Sequence, residues 1–75
     1  MSAIMDKRYR DAELYLLKIL KRRPKEPAAL NNLSIVCRKQ RKYKEAEDYA
    51  RRAIEILPAS PEVNQTLQDA LRKAP

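Results

Sequence analysis

Few side chains in this 75-residue chain could do covalent chemistry, and the first of them is Cys37. A thiol becomes a nucleophile when a neighbouring cation or base lowers its pKa. Cys37 instead continues the 3–4 spacing of Leu30 and Leu33, where a helix buries its apolar stripe. Its expected role is core packing. Ser34 stands on the same stripe, and its small size is a packing feature that lets a following helix approach closely. The chain has no histidine, so the commonest general base and the commonest metal ligand are both missing. It has no glycine, which removes the usual phosphate-cradling loop. One cysteine forms no internal disulfide and leaves the redox compartment undetermined. The expectation is a protein that is not an enzyme, with no cofactor and no metal.

Charge is the next candidate for function. The net charge is +7, from 17 basic and 10 acidic side chains. Residues 1–26 carry eight basic and four acidic groups, residues 27–60 seven and four, and residues 61–75 two and two. The signs are mixed along the chain, and no aromatic platform stands among the cations for base stacking. Lys21, Arg22 and Arg23 read as cations in the last turn of a helix, where they complement its dipole. Nucleic acid is therefore not the expected partner. Weak binding of polyanions by Lys7, Arg8 and Arg10 and by Arg38 to Lys44 is kept as the alternative. No apolar run approaches the roughly 20 residues of a membrane span, and the first residues lack a signal-peptide core. No membrane association is expected, and a cytoplasmic location is favoured.

These side chains need helices to position them. Asp6 or Lys7 begins a first helix on which Tyr9, Ala12, Leu16, Ile19 and Leu20 share one face, and Pro24 stops it. Leu14, Tyr15 and Leu17 widen that face beyond that of an ordinary surface helix. Pro27 opens a second helix at its first position, with Leu30, Leu33, Ser34 and Cys37 inward. Gln40 to Lys42 make a tight turn in which Arg41 is expected in the left-handed region. A third helix over about 43–57 buries Tyr43, Ala46, Ala50, Ala53 and Ile54. On its outer face Glu47–Arg51 and Asp48–Arg52 are i, i+4 pairs. Ser60-Pro61-Glu62 starts the fourth helix, whose expected buried stripe is Val63, Leu67, Ala70 and Leu71.

The pattern repeats. Tyr9, Ala12, Glu13, Tyr15 and Pro24 recur 34 residues later as Tyr43, Ala46, Glu47, Tyr49 and Pro58. Pro27, Leu33, Arg38 and Lys39 recur at the same offset as Pro61, Leu67, Arg72 and Lys73. A period of this length marks stacked two-helix units. The run from Pro27 through Leu30, Leu33 and Cys37, then Tyr43, Ala46, Ala50, Ala53 and Pro58, resembles one complete tetratricopeptide repeat. Two departures stand out: Ser34 and Arg41 occupy places where this family commonly has glycine. The resemblance implies an all-α chain of about four antiparallel helices in a single domain. Residues 1–26 would be a half repeat, 27–60 a full repeat and 61–75 a terminal helix. Such a layout is expected of a fragment of a longer array, a designed or excised self-assembling unit, or a very short member.

The resemblance also implies a function, a scaffold that holds a peptide or partner helix in a concave groove. The groove side chains would be Asn31, Ile35, Arg38 and Lys39 on the second helix, with Gln65 and Asp69 on the fourth. A chaperone-binding subset of the family grips a C-terminal carboxylate with paired basic and amide groups. Asn32 matches an asparagine of that clamp, but Asn31, Ile35, Gln65 and Asp69 stand where basic or amide groups are needed and only an amide survives there, which argues against a clamp. A core of this size rarely supplies more than about 3–5 kcal/mol. Self-association through an uncovered strip of Leu14, Tyr15, Leu17 and Ile19 is therefore also expected, giving a homo-oligomer.

Overall fold

The computed structural model describes residues 2–72, with side chains from residue 8 onward. Four helices follow one another: α1 (Ser2–Arg22), α2 (Pro27–Lys39), α3 (Tyr43–Ile56) and α4 (Pro61–Arg72). Their packing follows chain order: α1 lies on α2, α2 on α3, and α3 on α4. One further pairing joins α2 to α4. Hence α2 and α4 form an inner layer, and α1 and α3 an outer one. The backbone measures 38 × 30 × 17 Å, a slab two helices thick.

The core is built around α2. Leu30, Leu33, Ser34 and Cys37 are fully buried on it, as their spacing requires. Leu30 and Leu33 cluster with Leu16 and Leu20 of α1, Ala53 of α3 and Val63 of α4. Cys37 clusters with Ala46 and Ala70. Ala46, Ala50 and Ala53 have no exposed surface, so the fully buried positions of α3 are held by the smallest apolar side chains, with the half-buried Tyr49, Ile54 and Ile56 packed beside them. Ser34 Oγ donates to the Ala46 carbonyl at 2.7 Å, tying α2 to α3 at their point of close approach. Tyr49, half-buried, packs against both clusters.

Between α2 and α3 the chain turns without glycine. Arg41 has φ 65°, in the left-handed region. Its N–H donates to the Arg38 carbonyl at 2.9 Å, and the Lys42 N–H to the Cys37 carbonyl at 2.8 Å. These two bonds are the Schellman pattern, which satisfies carbonyls that the helix end leaves free. Elsewhere the ends are simpler. Pro27 occupies the first position of α2 and Glu26 caps it without a side-chain bond. The Val63 N–H reaches Ser60 Oγ at 3.4 Å, a long bond, while Asn64 Nδ2 donates to the Ser60 carbonyl at 2.7 Å.

Four details differ from the sequence reading. The first helix begins at Ser2, not at Asp6 or Lys7. The third ends at Ile56, one residue early. Arg52 stacks over the Tyr49 ring at 5.6 Å, and among the described residues the ion pairs are Arg51–Glu47 at 2.8 Å and Lys42–Glu13 at 3.2 Å. On α4, Leu71 is 41% exposed and Thr66 is buried. The Thr66 hydroxyl meets its hydrogen-bonding need by donating to the Glu62 carbonyl at 3.0 Å.

Candidate functional site

The residues first considered for covalent chemistry are packing residues. Cys37 has no exposed surface, and burial, with the nearby Glu13 carboxylate adding to it, pushes its thiol up to about 11. A thiol with that pKa is almost wholly protonated at neutral pH and is a poor nucleophile. The Ser34 hydroxyl is committed to a backbone carbonyl. Among the described residues no three histidine, cysteine, aspartate or glutamate side chains gather as a metal site.

What remains is surface shape, and the inner layer supplies it. A depression of about 250 Å³ between α2 and α4 is lined by Ser34, Ile35, Arg38, Lys39, Thr66 and Asp69. Two intramolecular bonds organise it. Arg38 Nε donates to the Asp69 carbonyl at 3.2 Å, and Gln65 Nε2 donates to Asp69 Oδ1 at 3.0 Å. Ile35 is 40% exposed on its rim, and Lys39 is exposed beside it. A second depression of about 320 Å³ lies toward the other end of the same two helices, lined by residues that include Asn31, Asn32, Leu57, Ser60 and Glu62. The structure thus brings Ile35, Arg38, Lys39 and Asp69 together, with Gln65 bonded to the last, and places Asn31 in the neighbouring depression. Asn31 is only 7% exposed. Its Oδ1 is the one buried side-chain polar atom among the described residues without a hydrogen-bond partner.

A wider cleft, about 510 Å³, opens between α1 and α2. Its floor is Leu16, Ile19 and Ala29, its wall Tyr15, and its polar edge Arg22, Arg23 and Glu26. Of the four residues expected to form an uncovered strip, Tyr15 and Ile19 line this cleft, whereas Leu14 and Leu17 do not. Leu14 is 54% exposed, Tyr15 65% and Leu17 37%, while Ile19 is half-buried. Ala28, Ala29 and Asn32, from the facing side of α2, also line it.

A family model described as Tetratricopeptide repeat matches residues 6–61. That span covers all of α2 and α3 and most of α1. The chain belongs to the tetratricopeptide repeat family. No curated protein and no solved structure matches it. Members of this family are generally protein–protein interaction modules, and their repeats are typically non-catalytic scaffolds. For this tetratricopeptide repeat chain, the helix on which the core is built, α2, also lines all three depressions described above. Among the described residues no helix is long and apolar enough to cross a membrane.

Proposed function

We propose that the chain is a protein-interaction module whose ligand, a peptide or a partner helix, lies along the face shared by α2 and α4. The contacts would be Asn31, Ile35, Arg38, Lys39, Gln65 and Asp69, with no catalytic step. The observation that carries this reading is the Asn31 carboxamide oxygen. A buried acceptor without a donor costs about 1–3 kcal/mol, and such groups persist where something outside the fold satisfies them. Asn31 lines the depression between the starts of α2 and α4, and its covered Oδ1 would meet a ligand N–H once the side chain turns into that depression. Because Oδ1 gives up no hydrogen bond within the protein, Asn31→Ala should leave the melting temperature nearly unchanged or higher while weakening ligand binding about tenfold. Chemical-shift mapping with a bound peptide should move Asn31, Ile35, Arg38, Lys39, Gln65 and Asp69. Shifts confined to Glu47, Asp48, Arg51 and Arg52 would place the site on the outer layer and sink the reading.

A second reading is favoured by the outer layer. The exposure of Leu14, Tyr15 and Leu17 on one helix supports self-association through α1. Polyanion binding has less support, because basic and acidic side chains are mixed along the chain. A steep loss of binding to single-stranded nucleic acid with rising salt would restore it.

A further inference from the structure

We propose that the cleft between α1 and α2 receives helix α4 of a second copy of this chain, so that copies join head to tail in a fixed register. The proposal rests on the self-association reading and names its geometry.

The 34-residue offset supplies the register. Tyr15, Leu16 and Ile19 in the cleft correspond to Tyr49, Ala50 and Ala53 on α3. On the facing wall, Ala28, Ala29 and Asn32 correspond to Glu62, Val63 and Thr66 on α4. Within the chain, the helix that lies against both α3 and α4 is α2. The cleft is therefore the place of a helix equivalent to α2, and α4 is such a helix. Leu33 and Cys37, fully buried on α2, recur on α4 as Leu67, half-buried, and Leu71, 41% exposed. On α4 the counterparts of Leu33 and Cys37 thus stay apolar, while those of Leu30 and Ser34 are the exposed Asn64 and Gln68.

Two contacts already present show what the joint would contain. Arg38 Nε donates to the Asp69 carbonyl at 3.2 Å. Shifted by one repeat, this becomes Arg72 of one copy donating to the Ile35 carbonyl of the next, and both residues are exposed. Ala28 and Leu57 line one depression. Their counterparts are Glu62 on α4 and Arg23 beside the cleft, so an apolar pair is replaced by opposite charges. Bulkier residues also take the place of small ones, Leu16 and Ile19 for Ala50 and Ala53 and Gln68 for Ser34. The helices of the joint would sit further apart than α2 and α3 do.

The joint uses two different faces, which makes it separable by mixing. Tyr15→Glu closes the cleft and Leu71→Glu blocks α4. Both positions are exposed, so circular dichroism should show both variants folded. At concentrations where the wild-type chain associates, each variant alone should sediment as the 8.8 kDa monomer. Their equimolar mixture should give a species of twice that mass and nothing larger, because one usable cleft meets one usable α4. Glu62→Arg in the Tyr15→Glu copy should weaken this pairing about threefold, and Arg23→Glu in the other copy should restore it. If Leu71→Glu alone associates as the wild type does, α4 is not the occupant and pairing through α1 alone stands. A mixture that fails to pair, or a pairing indifferent to Glu62 and Arg23, overturns the register. A wild-type chain that stays monomeric throughout removes both this joint and the self-association beneath it, leaving the α2–α4 groove untouched.

Discussion

Arg41 shows how one residue can carry a cost that the rest of the turn justifies. A side chain bearing Cβ pays roughly 1–2 kcal/mol to adopt φ 65°, and here the two hydrogen bonds to Arg38 and Cys37 hold it there. Arg41→Gly should remove that cost, partly offset by the greater freedom of glycine in the unfolded chain. The expected net gain is roughly 0.5–1 kcal/mol, read as a rise in melting temperature of about 2–8 °C. A clear loss of stability would mean that the Arg41 side chain contributes something its exposure does not suggest. This backbone outlier was legible in the sequence because the second helix must stop between Lys39 and Tyr43, and no glycine is available to stop it. Asn31 was legible only as a position beside the buried stripe. Periodicity gives direction around a helix, but burial also depends on how far the neighbouring helix overhangs, and around Asn31 that overhang leaves 7% of its surface exposed.

Between elements, the joint most open to experiment is the one that ties α1 to the turn after α2. Glu13 on α1 accepts from Gln40 Nε2 at 2.9 Å and from Lys42 Nζ at 3.2 Å. The Gln40 bond, with Lys42 adding to it, holds the Glu13 carboxyl below its ordinary 4.5 in spite of partial burial. A carboxylate with a lowered folded-state pKa contributes stability that is present above its unfolded value and lost as pH falls through the folded one. Glu13→Gln should thus cost about 1 kcal/mol at pH 7, the Lys42 share being small because that side chain is 42% exposed. The difference from wild type should shrink as pH falls below 4.5 and through the lowered folded-state value. Thermal melts of both chains across that range test it, and a difference independent of pH would assign the effect to shape alone. No sequence pattern marked this contact, since Glu13 and Gln40 lie 27 positions apart and the 34-residue period links neither to the other. What the period did make legible was the number of helices, their order and the core face of α2. It misjudged Leu71, because equivalence to Cys37 implies burial only where another helix lies over it.

For the whole molecule, the chain order of the packing has a consequence for how the fold is reached. Apart from the meeting of α2 with α4, every helix pair in contact is adjacent in sequence, and among the described residues α1 packs on α2 alone. Contacts between near neighbours close short loops, so little chain entropy is lost before the contacts begin to repay it. Helical domains with such local wiring fold in microseconds to milliseconds. Collapse should begin on the α2–α3 hairpin, whose alanine face and Ser34 bond bring two backbones close at little cost in side-chain order. The outer helices would then add to a seed that is already formed. Temperature-jump relaxation should therefore be faster than about 10 ms, with Ala50→Gly slowing folding and Leu16→Ala mainly speeding unfolding. The reverse assignment would mean that α1, not the hairpin, starts the process. A chain wired in this way can grow by one helix at either end without rerouting any contact already made.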